Sequence, residues 1–167
     1  GGSVIDIGGG ASILAVRLLG RGYSVAVLDI SETALERVRQ RVGSSAERIR
    51  WITADVTKRP DLDRFDVWHD RAVFHFLTEA ADRAAYVDLL SQTLSTAGHA
   101  IIATFALDGP EKCSGLPVCR YDGRGLAEEL GPGFKLVKTI AERHLGPWGA
   151  AQSFQYSVLE RIQSLYK

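Results

Sequence analysis

Short β-branched runs alternate with amphipathic stretches through the first half of the chain, and this alternation restricts the fold more than any other feature. Residues 4–7 read as a strand. Leu14, Ala15, Leu18 and Leu19 then recur at helical spacing until glycines at 20 and 22 end the helix. Residues 24–29 read as a second strand, and Ser31 can cap a helix that carries Leu35, Val38 and Val42 on one face and stops at Gly43. A third strand is expected over residues 49–53 and a fourth over residues 65–69, with a loop or short broken helix at 55–63 between them. Strand, helix, strand in this rhythm demands a parallel sheet with helices on both faces, because each helix must carry the chain back before the next strand can begin.

Thr78 can cap a longer helix with Val87, Leu90 and Leu94 toward the sheet, and Ala97-Gly98 turns the chain into the strongest strand, residues 100–105. A Gly-, Pro- and polar-rich segment at 107–122 follows, then a short helix at 125–130 and a Gly131-Pro132-Gly133 turn. Two further strands, at 135–141 and 154–159, suit an antiparallel hairpin on the sheet edge. The expected fold class is α/β, a doubly wound seven-stranded mostly parallel sheet with an antiparallel C-terminal edge hairpin. With 167 residues and no internal repeat or low-complexity linker, residues 1–167 are read as one domain.

Composition excludes some functions. Twenty basic residues balance twenty acidic ones, so no whole-molecule field favours nucleic acid or an anionic membrane, and a small-molecule or protein partner is the better expectation. No apolar run approaches the ~20 residues needed to span a bilayer. Cys113 and Cys119 fit no zinc spacing and read as reduced thiols, which points to a cytoplasmic location and no metal.

Functional residues in an open parallel sheet gather beyond the carboxyl ends of its strands. Gly8, Gly9 and Gly10 lie just after the first strand, where absent side chains let backbone approach a ligand. A dinucleotide fingerprint needs another glycine at 13, where Ile13 stands. Asp29 ends the second strand, where a carboxylate can accept from ribose hydroxyls, and Asp55 follows the third. Trp68-His69-Asp70-Arg71 closes the fourth.

Asp6-Ile7-Gly8-Gly9-Gly10-Ala11-Ser12, Asp29, Asp55 and the strand-four segment resemble, in order and strand context, the motifs of class I S-adenosylmethionine-dependent methyltransferases. Ser12 replaces the last glycine of the first motif. The resemblance implies that Asp6, Gly8, Gly9, Gly10, Asp29, Ile30, Asp55, Val56 and His69 bind S-adenosyl-L-methionine, with Asp55 near the adenine amino group. It places His69, Asp70 and Arg71 beside the methionine end of the cofactor and the acceptor as catalytic candidates. Methyl transfer is an in-line displacement that needs alignment first and a base only where the acceptor must lose a proton; histidine suits that task. Two alternatives remain: a non-catalytic cofactor-binding or assembly module of the same fold, and a NAD-dependent oxidoreductase.

The resemblance also implies helices before the first strand, whereas here Gly1-Gly2-Ser3 runs directly into it and no methionine occurs. Either a longer natural chain or a second copy, in a homodimer, is expected to cover the sheet face left open. His75, between two phenylalanines, reads as a packed residue. An Arg71–carboxylate pair, with Asp70 as one partner, reads as structural. Tyr121 and Trp148 are candidates to line an apolar acceptor pocket.

Overall fold

The computed structural model describes residues 1–145, 149 and 151–162. Five strands, β1 (Ser3–Ile7), β2 (Ser24–Asp29), β3 (Ile49–Thr53), β4 (Phe65–Arg71) and β5 (Leu94–Phe105), run parallel. A two-residue hairpin, β6 (Lys112–Cys113) and β7 (Leu116–Pro117), interrupts the loop after β5. The long antiparallel hairpin of β8 (Phe134–Leu145) and β9 (Ala151–Arg161) completes a seven-stranded sheet in the order β3-β2-β1-β4-β5-β9-β8. The chain steps outward from β1 to β3 and then returns to place β4 on the other side of β1. That reversal opens a crevice at the carboxyl ends of β1 and β4.

Helices α1 (Leu14–Leu19) and α2 (Glu32–Val42) cover one face, burying Ala15, Leu19 and Leu35 against Val25, Val27 and Ile49. Helices α3 (Ala80–Thr93) and α4 (Gly123–Leu130) cover the other, where Tyr86, Leu89, Leu90, Leu126 and Leu130 pack on Ile5, Ile7, Ala26, Leu28, Trp68 and Ile102. Alternation along each strand sends every second residue to one of these cores. The α1 face is open over β4 and β5, where Val4, Leu14, Leu18, Tyr23, Val67 and Ile101 line a groove of about 360 Å³ that ends at His69.

The expected elements form, with changes at their ends. Ser31 caps α2 through Ala34 N–H, and Gly43 ends it at φ 58°. Thr78 does not cap α3: Glu79 holds the cap position without a side-chain bond, while the Leu77 and Thr78 carbonyls accept from Arg83. Leu94 is the first residue of β5, pairing with Phe65; residues 95–98 then bulge out before Val67 pairs with His99. Ala97 takes a left-handed φ of 61°, and Gly98 packs so close to the Asp66 carbonyl that a Cβ would fall 2.9 Å from it. Asp122, at the end of the expected loop, caps α4 through Gly125 N–H, so that helix starts earlier than its hydrophobic pattern indicates. β4 extends two residues further than expected, through Asp70 and Arg71, which bears directly on the site.

Candidate functional site

The turn after β1 rises from geometry that only glycine meets without strain. Gly8 sits at φ 69°, its N–H donating to the Leu28 carbonyl at 2.7 Å, and the next residues form a 3-10 turn, Gly9–Ala11. Gly9 lies on Asp6, where a Cβ would come within 2.5 Å of Oδ2. Gly10 lies on Asp29, where a Cβ would come within 2.6 Å of Oδ2. Gly10 N–H donates to Asp29 Oδ2 at 3.1 Å and Ser31 N–H to Asp29 Oδ1 at 2.8 Å, so the carboxylate at the end of β2 locks the glycine turn and starts α2. A carboxylate offers about four acceptor sites, leaving Asp29 capacity for a ligand.

Asp55 closes β3 in the same manner. Its Oδ1 accepts from Thr57 N–H at 2.8 Å and Thr57 Oγ1 at 2.7 Å, capping the short turn Val56–Lys58. The Thr57 hydroxyl, more than the Thr57 amide and Lys58, holds this carboxyl below its ordinary range against the cost of burial.

These groups border a crevice of about 340 Å³ whose walls are Gly8, Asp29-Ile30, residues 54–57, residues 71–73 and Phe76-Leu77. Ile30 is 70% exposed and offers an apolar surface at its mouth, whereas Val56 is buried at 6%. A second, more polar hollow of about 290 Å³ adjoins it across Gly8 and Arg71, lined also by Asp6, Gly9, Ser12 and His69. Of the expected cofactor residues, Gly8, Asp29, Ile30, Asp55 and Val56 meet in the first space; Asp6, Gly9 and His69 meet in the second. Gly10 lines neither and acts through its bond to Asp29.

β4 separates the three consecutive catalytic candidates. His69 and Arg71 share one face with Asp6, which pairs across to His69; Trp68 and Asp70 share the other. The Asp6 carboxylate, 2% exposed, accepts from His69 Nδ1 at 2.7 Å. A carboxylate can only accept, so Nδ1 carries the hydrogen, and in the neutral ring the lone pair is on Nε2. Arg71 Nε donates to Tyr156 Oη at 2.9 Å, and the guanidinium lies 4.5 Å from the Phe154 ring centroid. Among the described residues no carboxylate lies within ion-pair distance of Arg71, so the expected Arg71–Asp70 pair does not form.

Asp70 corrects the expectation that a strand-end acid faces the ligand. It is fully buried, and its oxygens accept from Val73 N–H at 2.8 Å, Phe74 N–H at 3.0 Å and Tyr86 Oη at 2.6 Å; Tyr86 Oη in turn accepts from Trp68 Nε1 at 2.8 Å. Burial pushes its carboxyl up to about 6, while the Tyr86, Val73 and Phe74 bonds and the nearby His69 favour the charged form. His75 is packed as expected, fully buried between the Phe76 and Phe105 rings. Its Nδ1 accepts from Phe105 N–H at 3.3 Å, and burial lowers its pKa to about 4, so the ring is neutral. Tyr121 packs on Phe74 with ring centroids 5.6 Å apart. Trp148 lies outside the described residues.

Sequence reasoning missed Val73, Phe76, Leu77 and Thr57 on the crevice wall and Tyr156 and Phe154 beneath Arg71. Thr57 was legible, since Asp followed by Thr two residues on is a turn signal. Tyr156 lies 85 residues from Arg71, and nothing local couples them.

A family model described as "Methyltransferase domain" matches residues 4–98, and the chain belongs to that family. It is 28% identical over 123 residues to a tRNA U34 carboxymethyltransferase of Aliivibrio salmonicida, covering 71% of this chain and 37% of that protein. Against Nodulation protein S of Rhizobium tropici it is 24% identical over 102 residues, covering 61% of this chain and 42% of that one. The chain thus spans well under half the length of either relative. The crystal structure of 1,6-didemethyltoxoflavin-N1-methyltransferase from Burkholderia thailandensis, which holds S-adenosylhomocysteine, shares the fold with a TM-score of 0.75 at 23% identity, over 97% of this chain and 72% of that one.

Proposed function

We propose that the crevice binds S-adenosyl-L-methionine and that the protein transfers its methyl group to a small-molecule or protein acceptor. The observation that carries this reading is the convergence of Asp29 and Asp55, from adjacent strand ends, on one apolar-walled crevice beside the Gly8 turn. The donor set fits the group. Asp29 has acceptor capacity for ribose hydroxyls, and Ile30, Val56 and Leu77 offer apolar surface for a base, with Asp55 beside them to accept from its amino group. Arg71 presents a guanidinium held in place on its Nε side to an anion such as the methionine carboxylate.

When bound, the cofactor would supply a sulfonium methyl group open to in-line displacement by the acceptor lone pair, with S-adenosylhomocysteine as the leaving group. His69 takes the acceptor's proton at Nε2, its ring held by the Asp6 bond at Nδ1. Asp70 stands outside the reacting groups. Balanced charge favours a small or protein acceptor over nucleic acid. No helix among the described residues is long and apolar enough to cross a membrane.

Calorimetric titration with S-adenosylhomocysteine, followed by incubation with methyl-labelled cofactor and metabolite, protein and tRNA fractions, tests the reading. Micromolar binding and label in a metabolite or protein fraction are expected. Binding without any labelled product would favour the non-catalytic module, label in tRNA would overturn the acceptor class, and no binding would overturn the whole reading.

A further inference from the structure

After β4 the chain turns sharply to build the crevice wall. Ala72 takes a left-handed φ of 69°, costly for a residue with a Cβ, while its N–H donates to the Ala103 carbonyl. Val73 follows and packs over Gly8 so closely that a Cβ on Gly8 would overlap its Cγ2; Phe76 and Leu77 continue the same wall. The far end of the segment is held by Arg83, which donates to the Leu77 and Thr78 carbonyls. The near end is held by Asp70, whose oxygens take the N–H groups of Val73 and Phe74.

We infer that Asp70 is a positioning residue whose ionised carboxylate straps the wall of the cofactor crevice in place, so that protonating it loosens the wall and weakens cofactor binding. The inference rests on the cofactor reading above. An ionised carboxylate serves both N–H groups and the Tyr86 hydroxyl together. A protonated one accepts more weakly on the oxygen that carries the hydrogen: on Oδ1 that hydrogen opposes Val73 N–H, and on Oδ2 it competes with Phe74 N–H and the Tyr86 hydroxyl for one oxygen. The titratable group facing it is Tyr86 from α3; His69, on the opposite face of β4, acts on it only as a nearby charge, and the flanking strands present Ile7 and Ile102 alongside it. With the carboxyl at about 6, the strap is intact above that pH and lost as pH falls through it. Folding raises this pKa above the ordinary value of 3.8, so the buried charge costs stability above about pH 6 and the cost is relieved on acidification. Binding and stability therefore change in opposite senses.

The test follows the Val73 and Phe74 amide signals by NMR in the free protein from pH 7.5 to 5.0, and S-adenosylhomocysteine affinity over the same range. Both amides are expected to titrate near pH 6. At one pH unit below the midpoint about a tenth of the molecules keep the strap, so Kd rises about tenfold. Tyr86→Phe removes a bond that favours the charged form, leaves both strap bonds, and is expected to move both midpoints to higher pH. Amides that do not titrate, an affinity that ignores pH, or a midpoint unmoved in Tyr86→Phe would each overturn the inference. Absence of binding at every pH, with the amides still titrating, would instead sink the cofactor reading and the link to the crevice with it.

Discussion

Gly8→Ala isolates the contact on which the crevice depends. The added Cβ meets two penalties. Gly8 sits at φ 69°, which costs an L-residue roughly 1 to 2 kcal/mol. The Cβ would also fall closer than 3.0 Å to Val73 Cγ2, and Val73 yields poorly because it is β-branched and its N–H is held by Asp70. Overpacking of this kind costs about 1 to 3 kcal/mol. The sum, about 3 kcal/mol, corresponds to a fall in Tm of about 6 to 12 °C for a chain of this size. Gly22→Ala is the internal control: φ is 82°, nothing lies within 4 Å of the built Cβ, and only the backbone penalty applies. Thermal and urea unfolding of Gly8→Ala, Gly22→Ala, Val73→Ala and the Gly8→Ala/Val73→Ala pair close the cycle. The double variant is expected to recover about 1 to 2 kcal/mol relative to additivity. Gly8→Ala no less stable than Gly22→Ala, or a strictly additive double variant, would refute the close approach of the turn to the post-β4 segment.

Three further outcomes follow from the same geometry. Arg71→Met is expected to weaken S-adenosylhomocysteine binding about tenfold while leaving 5′-methylthioadenosine, which lacks the carboxylate, within about twofold; equal losses for both would remove Arg71 as the anion partner. His69→Gln is expected to lower kcat about 10²- to 10⁴-fold for an acceptor that loses a proton, with cofactor affinity within about threefold; steady-state kinetics on the labelled product decides. Asp55→Ala removes the cap of the Val56–Lys58 turn and is expected to cost about 1 kcal/mol near pH 7. The Asp55 carboxyl is held below its ordinary value of 3.8, so its contribution is full above about pH 4 and lost as pH falls through the lower, folded value; acid unfolding of the variant should show a shallower limb.

The parallel half of the fold was legible because β1, β2 and the end of β5 are buried on both faces and read as near-continuous apolar runs, closed by punctuation whose chemistry is local. Ser31, Gly43 and Gly8 do the work their residue types allow in almost any context. The misread positions are those where a partner outside the hydrophobic and capping pattern decides. Thr78 could have capped α3, but Arg83 takes the carbonyls at that corner. Leu94 continues the apolar pattern of α3, yet pairing with Phe65 draws it into β5. β8 and β9 run past their expected ends because each ladder hydrogen bond commits the next pair, and that cooperativity leaves no mark on composition.

The site divides along the same line. The strand-end places of Asp29 and Asp55 were readable because each carboxylate bonds a residue two positions on, and Asp29 also the glycine turn that faces it. His69-Asp70-Arg71 was not, and the reason is the period of a strand. Three adjacent polar residues at a sheet terminus read as one cluster only if the strand has already ended. Here β4 continues through Arg71, so His69 and Arg71 turn to the Asp6 side and Asp70 to the Tyr86 side. The residue that settles this is Tyr86, which lies 16 positions away on α3 and gives Asp70 a buried hydroxyl to bind. The three donors around the Asp70 carboxylate offset part of the cost of burying it, and the consequence is a division of labour. His69 and Arg71 face the hollow where a ligand would lie, while Asp70 fixes the wall beside them from behind.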